Sequence, residues 1–330
     1  WIHASKEGDR INIPVLIVDD EADQASIDGN ANKEETDPTK TNNRIRRILD
    51  SFPRTAYVGY TATPFANVFI RHDKVNEGLG DDLYPRNFIH SLPEAKGYFG
   101  TKLIFQNDLD GYFVCKIVNP KKERQVLAEK GELTKDLVIA IYNFILGMAI
   151  RNLRHQISSP MSMMINVDHR VGKMNRVGEA IHTYIKETLP NHKDLQLLSR
   201  TCEDFLKRTK LLNEKLGASN RIPDKKDIIK EANRIITSRK ITVRVLNSSK
   251  EDKLDYAKDP SMKVIAVGGN KLSRGLTLEG LMVTFYLRES KQYDTLLQMG
   301  RWFGYRRGYE DLVRIYTSEN LWKNFKDLAI

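Results

Sequence analysis

Ile11 to Asp19 forms an almost unbroken apolar run, rich in β-branched residues and closing on acids, which predicts a strand buried on both faces. A polar stretch from Asp28 to Asn43 reads as a surface loop. Helical spacing follows over Arg44–Phe52, with Ile45, Ile48 and Leu49 on one face and Arg44, Arg46 and Arg47 around the other. Thr55–Tyr60 predicts a second strand, broken by Pro64. Strand, helix and strand in that order argue for a parallel sheet with helices on its faces.

A second series begins further on. Tyr112–Val118, Ser162–Val167, Ile241–Leu246, Val264–Val267, Leu281–Leu287 and Leu312–Tyr316 are short strand candidates, and residues 173–240 are largely helical and basic. Leu137–Ile150 is the longest apolar run. It is interrupted by Asn143 and Gly147 and falls short of a membrane span, so it predicts a buried core helix, capped by Thr134. The fold class expected is α/β: residues 1–125 as the C-terminal part of a first parallel-sheet domain, and 126–330 as a second, interrupted by a helical insertion at about 173–240.

Composition narrows the function classes. Cys115 and Cys202 lie far apart, which removes a disulfide scaffold and a cysteine zinc site. His155, His169 and His182 have no metal-ligand grouping and read as solvated or satisfied positions. The chain opens on Trp1 with no leader-like segment, and the reading is a cytoplasmic fragment of a longer protein. Of the net charge of +10, residues 1–120 hold 14 basic and 18 acidic groups, 121–240 hold 24 and 14, and 241–330 hold 15 and 11. The basic excess sits in the middle, at Lys121-Lys122, Arg151, Arg154, Lys207-Arg208, Lys225-Lys226 and Arg239-Lys240. Such a face can follow a phosphate backbone, and it can equally be a solvated helical surface.

The candidate chemistry lies at strand ends. Asp19-Asp20-Glu21-Ala22-Asp23 closes the first strand, where parallel α/β sheets bind ligands. Nucleotide hydrolysis can use such a string, with Asp20 on Mg²⁺ and Glu21 on the attacking water. Thr61-Ala62-Thr63-Pro64 closes the second strand, and its hydroxyls suit a hydrogen-bonded relay. Gly268–Gly275 follows the Val264 strand, and Gln298–Arg307 combines glycines with Arg301 and Arg306. Glycines allow close backbone approach, and arginines offer planar donors to phosphate oxygens. For Trp302, Phe303 and Tyr305, packing at a domain interface is favoured over base stacking.

In this order the elements resemble superfamily 2 helicases, and more closely the Z1 (Z-one) domain family, helicase-like ATPase modules of bacterial proteins usually labelled endonucleases. The residues that match are DDEADQ (19–24), YTATPFAN (60–67), LSRGLTLEG (272–280) and QMGRWFGYRRGY (298–309). The resemblance implies two RecA-like domains clamping ATP and Mg²⁺, and an ATP-dependent DNA translocase within a restriction or anti-phage protein, with partner subunits of a defence system. It places Asp20 and Glu21 at the metal and the water, Thr61 and Thr63 in the coupling motif, and Arg274, Gly275 and Gln298 around the nucleotide. Arg301 and Arg306 fall in the arginine-finger motif.

Two features depart from that pattern. Arg301 and Arg306 are five apart where many relatives space them by three, and no G-x-x-x-x-G-K-[ST] loop occurs in the sequence. The expectation is that this loop lies upstream and that the isolated 330 residues do not turn ATP over. A Mg²⁺-dependent endonuclease built on Pro223-Asp224 with Glu251-Asp252-Lys253 is the alternative enzyme, and a DNA- or protein-binding scaffold the alternative without catalysis.

Overall fold

The computed structural model describes residues 6–7, 10–30, 37–70, 75–76, 80–93, 95–106, 109–192, 194–247, 254–272, 276–289 and 299–329. It divides into two compact units, residues 1–93 and 94–330.

The first unit is built on strand β1 (Val15–Asp20), helix α1 (Lys40–Asp50) and strand β2 (Thr55–Tyr60). The two strands are parallel and in register from Val15 opposite Thr55 to Asp20 opposite Tyr60. Contrary to the buried strand expected, β1 is covered on one face only: Leu16 is 62% and Val18 58% exposed. The pattern was right for a parallel strand, but these two strands form a sheet of their own. Helix α1 also differs from its apolar pattern. Its inward residues are Asn42 and Arg46, while Ile48 is exposed. Asn42 Nδ2 donates to Ser26 O (2.9 Å) and Asp82 Oδ1 (2.7 Å), so hydrogen bonding rather than apolar burial docks the helix.

The second unit is an α/β domain on a six-stranded, wholly parallel sheet. Its elements are β3 (Val114–Ile117), α2 (Lys135–Leu153), β4 (Met161–Asn166), α3 (Val171–Thr183), α4 (Leu195–Lys215), α5 (Lys225–Ser238), β5 (Thr242–Leu246), β6 (Lys263–Gly268), β7 (Leu281–Tyr286), β8 (Arg314–Ser318) and α6 (Glu319–Ala329). The strands lie in the order β5-β6-β4-β7-β8-β3. Every residue of β4 and β7 is buried, as expected of central strands covered on both faces.

Because β3 pairs with β8, residues from 94 onward belong to the second unit, and the division falls at 93/94 rather than at 125/126. Thr134 caps α2 by accepting from Leu137 N, as anticipated. That helix is long and apolar enough to cross a membrane, yet here it is the core of the unit: Leu137, Ile141, Phe144, Ile145 and Ala149 are all fully buried. The stretch 173–240 is helical, as read.

Candidate functional site

In the first unit, the register of β1 and β2 ends both strands at one level, so the acidic string and the threonine motif meet at a shared edge. Glu21, at φ +60°, reverses the chain, and Ala22 N then donates to Tyr60 O (3.0 Å). Gly59 permits that approach, since a Cβ there would lie 2.8 Å from Ala22 Cβ. Thr63 Oγ1 donates to Asp23 Oδ2 (2.7 Å), and Thr63 N donates to Thr61 Oγ1 (2.9 Å). Asn67 Nδ2 adds a bond to Ala22 O (2.9 Å).

The four acids divide by role. Asp19 accepts from Tyr57 OH (2.5 Å) and from Ser26, and burial together with this bond pushes the Tyr57 phenol well above its ordinary range. Asp23 is tied to Thr63. Asp20 and Glu21 are exposed; Asp20 Oδ1 accepts from Glu21 N (3.1 Å), and Glu21 Oε2 from Gln24 Nε2 (2.8 Å). The open carboxylates are therefore the two that the sequence singled out. Asp23 was missed as the partner of Thr63, because a contact across 40 positions leaves no local pattern. Among the described residues no group of three His, Cys, Asp or Glu surrounds a metal-sized space. A single carboxylate such as Asp20 suits Mg²⁺ held otherwise by phosphate oxygens and water.

In the second unit, the carboxyl edge of the sheet gathers the other motifs. Gly268 ends β6 and Gly269 follows it, both at close quarters: a Cβ on the first would lie 2.8 Å from Leu246 O, and on the second 2.9 Å from His169 O. Asn166, ending β4, donates to Gly269 O (3.3 Å) and to Met299 Sδ (3.4 Å). Arg301 Nε donates to Leu272 O (3.0 Å), so two segments 29 residues apart in sequence are stitched together. Arg306 is only 7% exposed and turns inward. It donates to Tyr305 O (3.0 Å), Arg301 O (3.0 Å) and Phe303 O (3.1 Å). Its guanidinium holds its own loop instead of facing outward as a finger. Arg274, Gly275 and Gln298 lie outside the described residues.

Trp302 is buried in the unit's own core, packed on Tyr286 (5.9 Å) and Phe325 (4.7 Å between ring centres). Tyr305 is exposed. Sequence reasoning also missed Asp168, just past β4. Its partial burial would raise the carboxyl, but Arg170 donates through its amide (2.9 Å), Nε (3.0 Å) and Nη2 (2.8 Å) and holds it well below the carboxylate range.

Several of the cations thought to face phosphate are occupied structurally. Arg151 is buried and donates to Pro160 O, Arg154 forms a two-pronged ion pair with buried Asp311, Arg208 donates to Val114 O, and Lys225 pairs with Glu203. Lys121, Lys122, Lys207, Lys226, Arg239 and Lys240 remain exposed. Of the alternative nuclease residues, buried Pro223 and exposed Asp224 lead into α5, Asp224 at its N-cap, and Glu251, Asp252 and Lys253 lie outside the described residues.

A parallel sheet whose carboxyl edge collects glycines, an asparagine and arginines defines an α/β domain organised around that edge. The chain belongs to the Z1 domain family: the family model for the Z1 domain matches residues 136–330, more than half of the chain. The acidic string and the threonine motif lie before the matched range. No curated protein and no solved structure matches the chain.

Proposed function

We propose that this chain is the helicase-like ATPase part of a DNA translocase, its two units corresponding to RecA-like domains. The observation that supports it best is the paired edge of β1 and β2, where Asp20 and Glu21 stay open while Asp23 is bonded to Thr63. In this reading Asp20 holds the Mg²⁺ that accompanies ATP, an ion that neutralises phosphate charge. Glu21 orients the attacking water and takes its proton. The Thr63–Asp23 bond transmits a change beside the phosphates to β2. In the second unit Arg301 has the chemistry to offset phosphoryl charge, and Arg306 fixes the loop that carries it.

ATP binding also needs a phosphate-cradling loop, and residues 1–330 contain no G-x-x-x-x-G-K-[ST]. The 330-residue chain alone is expected to show no ATP turnover. A protein that joins these residues to such a loop is expected to release phosphate in a DNA-stimulated manner, and Glu21→Gln to lower that rate at least about a hundredfold. Turnover by the extended protein that survives Glu21→Gln would overturn the assignment.

A further inference from the structure

Tyr98 and Tyr305 form an exposed aromatic pair beside the Met299–Arg306 loop. Phe99 pairs antiparallel with Gly304 and Tyr98 with Tyr305, and the two tyrosine rings meet edge to face with centres 5.7 Å apart. Tyr305 is 61% and Tyr98 38% exposed. The ribbon beneath them is anchored. Phe99 is buried and packs on Phe113 (5.0 Å), and Tyr305 O accepts from Arg306 (3.0 Å). Tyr98 N closes a turn on Ala95 O (3.0 Å), with Gly97 at φ +78°.

Cations lie close to the rings in the chain. Lys96 and Arg307, each two residues from a tyrosine, are exposed. Arg154 donates to both Gly308 O (3.2 Å) and Arg221 O (2.7 Å), which brings exposed Arg221 to the same neighbourhood. The acids that follow Tyr305 are engaged, Asp311 with Arg154 and Glu310 with Asn220 Nδ2 (3.4 Å), while Glu94, two residues from Lys96, lies outside the described residues.

We propose that this ribbon is a stacking platform for single-stranded nucleic acid, with unpaired bases on Tyr98 and Tyr305 and backbone phosphates on Lys96, Arg307 and Arg221. Held rings offer a flat apolar face at little entropic cost, and stacking on them tolerates any base, as a translocating protein requires. Cations beside the rings complement the phosphates. The inference rests on the nucleic-acid half of the proposed function and is independent of its ATPase half.

Fluorescence anisotropy at low salt on the 330-residue chain tests it, using a 20-nucleotide oligo-dT, an abasic strand of the same length and a 20-base-pair duplex. Oligo-dT is expected to bind about tenfold or more tighter than the abasic strand. Tyr98→Ala with Tyr305→Ala should remove that preference, and the paired Phe variants should keep it. Arg307→Gln should lower the slope of log K against log salt by about one and leave the preference for bases in place. The rings lie on the surface, so melting temperatures should hold throughout the series. Equal binding of oligo-dT and the abasic strand, or a preference that survives the Ala pair, overturns the platform alone. Failure of all three probes to bind overturns both the platform and the nucleic-acid half of the proposed function, while ATP hydrolysis by the extended protein still reports on the other half.

Discussion

Gly304 takes φ +138°, and a Cβ at that position would lie 3.0 Å from Arg306 Nη1. Few side chains tolerate that backbone, and here any Cβ would also press on a guanidinium that satisfies three carbonyls. Gly304→Ala is therefore expected to cost about 1–3 kcal/mol, read as a lower urea midpoint. Gly172, in the first turn of α3, has ordinary φ and nothing within 4 Å of its would-be Cβ. Gly172→Ala should be neutral or stabilising by up to about 1 kcal/mol, which controls for the loss of glycine as such. The same pair of arginines marks how far the sequence reached. Their presence and the glycine between them were legible as a motif, and the spacing left open which one faces a ligand. Inward folding of Arg306 depends on carbonyls presented by Arg301, Phe303 and Tyr305, a matter of loop shape that residue types do not encode locally.

At the scale of elements, the central strands were legible because a parallel strand covered on both faces must be apolar throughout. β4 and β7 have no exposed residue, and β2, β5, β6 and β7 begin and end within a residue or so of their expected bounds. Helix α1 was misread for the complementary reason: Asn42 and Arg46 are buried by the hydrogen bonds they make, and an apolar count is blind to that. Element packing also makes demands that propensity opposes. Gly178 lies within α3, where Ala would be the better helix former. A Cβ there would lie 2.2 Å from Val245 Cγ2 on β5. Gly178→Ala is accordingly expected to destabilise by about 1–3 kcal/mol, because steric overlap outweighs a propensity gain of under 1 kcal/mol. Val245→Ala in the same chain should recover part of the loss. Additive costs in that double-mutant cycle would show that the contact does not set the helix position.

For the whole molecule, one chain combines a thick unit and a thin one. The second unit covers both faces of its six-stranded sheet. The first builds on a two-stranded parallel pair with Leu16, Val18 and Tyr60 exposed on it. An isolated pair of strands is marginal in water, and a parallel pair more so, because such sheets rely on cover from both sides. The division at 93/94 was hidden from sequence reading because β3 follows the first series along the chain yet pairs with β8, its partners 201 residues later. Stability should therefore be distributed unevenly. Native-state hydrogen exchange on the intact chain is expected to release the amides of Val15–Asp20 and Thr55–Tyr60 at least about a hundredfold faster than those of Met161–Asn166, because opening β1 from β2 exposes little new apolar surface, whereas opening β4 breaks pairings on both sides and uncovers the core. Equal protection of the two sets would mean that the first unit's sheet is covered in solution. The bare face of Leu16 and Val18 would then be an interface, and the acidic edge at Asp20 and Glu21 would rest on a firmer base than two strands alone can give.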